Sequence, residues 1–201
     1  MTEKSRGLKL GTMALGLVLL LSGSTVWAQG AGSDDWREVE KESKRLRRDE
    51  IADQALQKLL ASSIKADTLY EKAYGWAAFR TVKAAFVFSG GGGNGVAVDK
   101  ETGERFYMKM ATAGVGFGIG GQSYDLIFLF QDKGSFYNFV ENGWQADAGA
   151  QAVAGAEGAN AQTTFTNGIA IYQLTKGGLM ASADIAGTKY WKNKKLNKPV
   201  D

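Results

Sequence analysis

Lys189, Lys192, Lys194, Lys195 and Lys198 stand close together near the C-terminus, interleaved with Tyr190 and Trp191, and no acid falls between Ile185 and Val200. Ammonium groups beside aromatic rings suit a membrane interface, where the ring lies at headgroup level and the ammonium meets phosphate. The competing reading of this stretch is a solvated, frayed tail. A second basic set, Arg37, Lys41, Lys44 and Arg48, recurs at i, i+4, i+7 and i+11, which is one face of a helix. Arg45 and Arg47 lie beside it, but Glu38, Glu40, Glu42, Asp49 and Glu50 alternate with these bases and weaken their field. Glu40 and Lys44 are spaced for an i,i+4 ion pair on a solvated face. Lipid contact is therefore expected at Lys192, Lys194, Lys195, Trp191 and Tyr190, and more weakly at Lys41, Lys44 and Arg48.

Other chemistry is narrowed by what the chain lacks. It contains no His and no Cys. That removes Ser-His and Cys-His nucleophiles, thiolate chemistry, disulfides and the usual zinc, copper, haem and iron–sulfur ligand sets. Carboxylates remain, and Asp125, Asp147, Glu157 and Asp184 stand outside obvious charged turns, but no spacing brings two of them together for acid–base work. No enzyme, metal or cofactor is expected. Gly90-Gly91-Gly92-Gly93-Asn94-Gly95 formally contains G-x-G-x-x-G. A phosphate cradle needs a helix N-terminus directly afterwards, whereas Val96-Ala97-Val98 continues as a strand. The run is expected to be a flexible loop between strands, with a lesser reading as a backbone concavity for a lipid phosphate.

The elements that must position these residues follow from composition. Lys4, Arg6 and Lys9 precede an apolar run from Leu10 to Leu21, and Val26-Trp27-Ala28 offers a cleavage site. A basic start, a short apolar core and a small-residue end predict a secretory signal over 1–28. A spanning helix wants about 20 apolar residues, more than this core supplies. Cleavage after Ala28 is the expected outcome, giving an exported protein, periplasmic or secreted. Ala28→Arg should leave unprocessed precursor, and the intact mass of the exported protein checks the cut site; a start well away from Gln29 would refute it.

The roughly 170 residues that would remain are one domain's worth. The signal carries three of the 24 basic and one of the 21 acidic residues, leaving 21 against 20. A nearly neutral balance gives no reason to expect a nucleic-acid partner.

From Asp34 to about Ala78 the chain is charged, rich in Ala, Leu, Lys and Glu, and free of Pro. It reads as helical, with Trp36, Val39 and Leu46 on one side and the basic set on the other. The apolar face then moves to Ala52, Ala55, Leu56, Leu59 and Leu60, which predicts a bend near Asp49. Asp67 is expected to cap a shorter helix.

From about Phe79 short apolar runs are cut by Gly and Asn. Strands are expected at Ala84–Ser89, Gly95–Asp99, Arg105–Ala111, Gly114–Gly120, Tyr124–Phe130, Ser135–Val140, Gln145–Ala154, Ala161–Phe165, Gly168–Leu174 and Leu179–Ala186. The fold class is α+β: N-terminal helices followed by a glycine-rich antiparallel meander or barrel-like sheet. The domain plan is a signal at 1–28, a charged helical segment at 29–50, the main domain at 51–191 and a basic tail at 192–201.

Tyr70-Glu-Lys-Ala-Tyr-Gly-Trp-Ala-Ala-Phe79 and Lys83-Ala-Ala-Phe-Val-Phe88 resemble the opening of the SYLF domain. Thr112-Ala-Gly-Val-Gly-Phe-Gly-Ile-Gly-Gly-Gln-Ser-Tyr-Asp-Leu-Ile-Phe-Leu-Phe130 is similar to its middle, with Trp144-x-Ala-Asp-Ala148 following. Thr175-Lys-Gly-Gly-Leu-Met-Ala-Ser-Ala-Asp-Ile-Ala-Gly187 resembles its close. The similarity runs in order from about Ile51 to Trp191. Arg80 stands where the family commonly has Pro, and Ser182-Ala183 departs from its pattern before the final acid. The resemblance implies a lipid-binding domain whose bacterial members are exported, and whose fungal and animal members bind phosphoinositides and actin. The expected function is a non-catalytic lipid- or membrane-binding protein of the cell envelope that meets anionic phospholipid. The alternative is a structural or protein-interaction module whose glycine-rich sheet packs on an envelope partner.

Overall fold

The computed structural model describes residues 33–85, 88–115, 120–146, 164–179, 185 and 187–198. The expected signal at 1–28, the Gly116–Ile119 stretch, Asp147, Glu157, Asp184 and most of the expected strands Gln145–Ala154, Ala161–Phe165 and Leu179–Ala186 lie outside these residues.

Helix α1 spans Ser33–Ser62 without interruption. No Gly or Pro occurs in it, so nothing in its backbone opposes thirty helical residues. The helix does not break near Asp49. Asp49 instead turns toward the sheet, where its carboxylate accepts from the Tyr107 hydroxyl at 3.0 Å and lies 3.3 Å from Arg105. Helix α2, Ile64–Lys72, is capped by Ser63, which accepts from the Ala66 amide at 3.2 Å, rather than by Asp67. Its last carbonyls are taken by Lys100, whose Nζ donates to Tyr70 O at 2.6 Å and Ala73 O at 2.9 Å.

The strands are β1 Gly75–Ala85, β2 Phe88–Asp99, β3 Arg105–Val115, β4 Gly120–Phe130, β5 Trp144–Ala146, β6 Ile169–Thr175, β7 Gly178–Leu179 and β8 Thr188–Lys192. They form one antiparallel sheet in the order β5-β8-β3-β2-β1-β4-β6-β7, curled into a half-barrel. The architecture is α+β, as expected.

Further local expectations are corrected: Gly75–Ala78, expected at the end of the helical segment, open β1, and Ala84–Ser89, expected as one strand, falls on the end of β1 and the start of β2. Gly90–Asn94 is not a loop: it lies within β2, with β1 on one side and β3 on the other. A Cβ on Gly93 would stand 2.5 Å from Arg80 O and 3.0 Å from Met110 Sδ, and one on Gly91 would stand 2.5 Å from Val82 O. Neighbouring backbone and side chains therefore close over β2 where it has no side chains to obstruct them. The cradle reading goes with the loop, because these amides are committed to ladders. Ser135–Val140, expected as a strand, is helical: α3 spans Lys133–Tyr137 and continues as a π-turn over Asn138–Asn142. Asp132 starts it by accepting from the Ser135 amide at 2.8 Å.

Alternation along the strands divides the core. Inside the curl, Phe79, Met108, Leu126, Phe128 and Tyr190 pack with Phe136 and Phe139 of the α3 region. On the outer face, Trp76, Val96, Val98, Ile127 and Leu129 meet Ala52, Ala55, Leu56 and Leu59 of α1 and Leu69 of α2. A final turn of helix, α4 Lys194–Asn197, closes the described chain.

Candidate functional site

Strand β8 fixes the directions of the C-terminal residues. Thr188 and Tyr190 point into the curl, while Lys189 and Trp191 point outward. Tyr190 is fully buried, with its ring 5.0 Å from Phe79, 5.1 Å from Phe128 and 5.7 Å from Trp144. Burial pushes its phenol well above the ordinary value. It is a core residue and not an interface aromatic, which leaves Trp191, 37% exposed, as the outward ring of the pair.

The lysines divide in the same way. Lys192 Nζ donates to Glu141 at 2.7 Å and lies 4.8 Å from the centre of the Phe106 ring, so its charge is already matched. Lys194 and Lys195 are exposed on α4. That turn is not frayed. Asn193 caps it by accepting from the Lys195 amide, Leu196 is buried, and Asn197 both accepts from Tyr107 N at 2.9 Å and donates to Tyr107 O at 2.7 Å. Arg45 adds a clamp from α1 through Nη2 to Leu196 O at 2.6 Å. Beside the clamp lies a cleft of 340 Å³, bordered by Glu42, Arg45, Arg105 and Lys192. Its mixed charges favour neither sign.

The first half of α1 is turned round relative to expectation. Its basic side faces the body: Lys41 donates to Lys198 O at 2.7 Å and Arg48 to Asn94 Oδ1 at 2.8 Å. Burial lowers the Arg48 guanidinium from its usual value, an effect that the Tyr107 phenol partly offsets. Lys44 pairs with Glu40 at 2.6 Å, as its spacing required. The apolar side points away from the protein, with Trp36 75%, Val39 56% and Leu46 61% exposed. Arg37, Lys44 and Arg47 are exposed along this outer half.

Cross-strand register gathers the two regions on one side of the sheet. Trp191 pairs with Lys109, Lys109 with Asn94, and Asn94 with Arg80. Arg48 reaches down from α1 to Asn94 in this row. Arg80, at the position where the resemblance departs, holds Asp125 across the strands with two bonds of 2.9 and 3.0 Å. Asp125 is thus structural. Asp49, Arg105 and Asp53 form a further ion-paired group that ties α1 to β3. It raises the neighbouring Tyr107: burial first, then the Asp49 carboxylate, pushes that phenol up to about 12.

Trp36, Val39 and Leu46 were legible as an apolar stripe, but the wheel does not say which stripe packs. Lys109 and Lys189 became part of the outer surface only through strand pairing. Among the described residues no three acidic side chains group to hold a metal ion, and no helix is long and apolar enough to cross a membrane. The arrangement leaves Trp36, Val39 and Leu46 exposed on α1, with exposed cations on the same helix and on α4.

Residues 111–200 match the family model Ysc84, described as Las17-binding protein actin regulator. A protein of Aeromonas veronii named Beta cell expansion factor A is 42% identical over 146 residues, which is 73% of this chain and 56% of that relative. The chain spans about half the length of the curated relative that it matches.

Proposed function

We propose that the chain, whose residues 111–200 match the SYLF (Ysc84) family associated with lipid binding or actin regulation, is an exported, non-catalytic lipid-binding protein of the cell envelope. The observation that carries this reading is the outward stripe of Trp36, Val39 and Leu46, with Trp191, Lys194 and Lys195 exposed as well. Large apolar side chains left in water are unfavourable by about 1.5–3 kcal/mol each relative to full burial. Partial insertion at a bilayer interface recovers a share of this. The exposed lysines add about 1 kcal/mol each near an anionic surface. Lys41 and Arg48 support the surface from beneath by holding α1 on the sheet and the tail, while Lys192 stays with Glu141.

Co-sedimentation of the protein with phosphatidylglycerol or phosphatidylcholine vesicles tests the proposal. Binding to the anionic vesicles is expected, and it should weaken as salt rises from 0.15 M, where the Debye length is about 8 Å, to 1 M, where it is about 3 Å. Lys194→Gln with Lys195→Gln should reduce affinity about 30-fold at low salt. Trp36→Ser with Leu46→Ser should reduce it to a similar degree, but independently of salt. Failure to pellet with either vesicle, or equal pelleting of wild type and both double variants, would refute the proposal.

A further inference from the structure

The curl brings the two ends of the sheet to one pocket. Trp144 belongs to β5, at one end of the strand order, and Ile169 to β6, near the other. Both line a concavity of 200 Å³ together with Phe139. Four uncharged polar side chains border the same space: Ser135, Asn138, Thr166 and Asn167.

Its walls are fixed by the fold. Thr166 and Ile169 exchange backbone bonds of 3.0 and 3.1 Å, with Asn167 at φ 52° and Gly168 at φ 78° between them. This is a two-residue hairpin tip with both central residues left-handed, the turn that Asn-Gly forms most readily. The tip is docked on the body: Gly168 O accepts from Gln131 N at 2.8 Å, and a Cβ on Gly168 would collide with Ser135. Ser135 Oγ in turn donates to Asp132 at 3.0 Å, and Asn138 Oδ1 accepts from Asn142 Nδ2 at 2.8 Å. Asn138 opens the π-turn, a local winding that recurs at functional sites. Gly143, at φ 73°, then lets the chain pass close to Tyr190 O and brings Trp144 to its place. There the half-buried indole rests 5.7 Å from the Tyr190 ring and 5.9 Å from Phe128.

Hydroxyl and amide groups both donate and accept, and here they stand beside an indole, a phenyl ring and an isoleucine. A pyranose has the matching pair of surfaces, a flat C–H face and a rim of hydroxyls. We propose that this pocket binds one neutral pyranose ring, its C–H face on Trp144 and its hydroxyls on Asn138, Thr166 and Asn167. A free sugar and the terminal residue of a glycan share this chemistry. The residues named belong neither to α1 nor to α4, and the proposal does not rest on the lipid reading.

The full chain is titrated with glucose, galactose, mannose and N-acetylglucosamine, each to about 100 mM, and followed through its side-chain amide and indole N–H signals. At least one sugar should shift the Trp144 indole and the Asn138 and Asn167 amides, with a dissociation constant of about 1–10 mM. Thr166→Val and Asn167→Gly should each weaken binding about three- to tenfold with little change in thermal midpoint, since valine keeps the shape of threonine and glycine accepts the left-handed turn. Sorbitol, which carries the hydroxyls without the ring, should not bind. Methyl glycosides that bind as well as the free sugar make a glycan terminus the source, and binding of the free sugar alone makes it a monosaccharide. No shift at Trp144 and Asn167 with any of the four sugars would overturn the proposal, as would equal shifts with sorbitol or unchanged affinity in both variants. Tighter binding of a charged sugar, glucuronate or protonated glucosamine, would overturn it as well.

Discussion

Gly95→Val should lower the thermal midpoint by about 10 °C, while Gly90→Val in the same strand leaves it nearly unchanged. A Cβ on Gly95 would press on the Phe79 ring and stand 2.5 Å from Ala78 O. Phe79 has no room to retreat, since Phe128, Phe139 and Tyr190 enclose it at centroid distances of 5.7, 6.1 and 5.0 Å. Overpacking of this kind costs about 3 kcal/mol, and about 1 kcal/mol moves the midpoint of a domain this size by roughly 2–4 °C. At Gly90 an added Cβ meets nothing within 4 Å. Phe79→Leu should recover part of the loss in Gly95→Val by yielding space. Equal midpoints for the two valine variants would show that the packing over β2 does not depend on bare backbone at Gly95.

Asp99→Ala should be comparably damaging and should also change the response to acid. Asp99 is inaccessible to solvent and serves four donors. Oδ2 accepts from the Tyr74 and Tyr137 hydroxyls at 2.8 and 2.9 Å, and Oδ1 from the Glu101 and Thr102 amides at 2.8 and 3.0 Å. Truncation strands these donors together, a loss of about 3 kcal/mol. Burial alone would raise the carboxyl's pKa, but the four hydrogen bonds outweigh it and hold the group below its ordinary 3.8. A depressed carboxyl stabilises the fold above its unfolded pKa, and that contribution is lost as pH falls through the folded value. Wild-type stability should therefore decline below about pH 4. Asp99→Ala, weaker at neutral pH, should show a shallower acid decline. Urea unfolding at pH 7 and pH 3 measures both, and parallel declines would remove Asp99 from the acid response.

Much of the architecture could be read from the chain because its periods are clean. Arg105–Ala111, Tyr124–Phe130 and Gly168–Leu174 fall on β3, β4 and β6 with small shifts at their ends. The departures share a cause: distant neighbours, and not local residue type, decide these segments. A run of glycines is an ordinary turn mark, and nothing near Gly90–Gly95 discloses that Phe79, Arg80 and Met110 will close over it. Phe136, Phe139 and Val140 are spaced i, i+3, i+4, and Asp132 stands ready as a cap. The period was helical, although bracketing turns made the stretch resemble a strand. Tyr190 and Trp191 are neighbours in sequence, whereas alternation along β8 sends them to opposite faces. In α1 the two stripes were correctly separated and wrongly assigned, because the partners of the basic one are carbonyls at Leu196 and Lys198. No window of local sequence contains both ends of those bonds.

That clamp also sets an order of events. Lys41 and Arg45 join carbonyls 157 and 151 residues further along, so these are among the longest loop closures in the chain. The first half of α1 therefore depends for its seat on residues at the far end of the described chain. Until Asn193–Lys198 has been synthesised, that half of the helix has no seat on the C-terminal turn, and both its stripes stand open to whatever is nearby. A chain that lacks Asn193–Lys198 keeps the helix but loses the carbonyls of Leu196 and Lys198 that latch its first half.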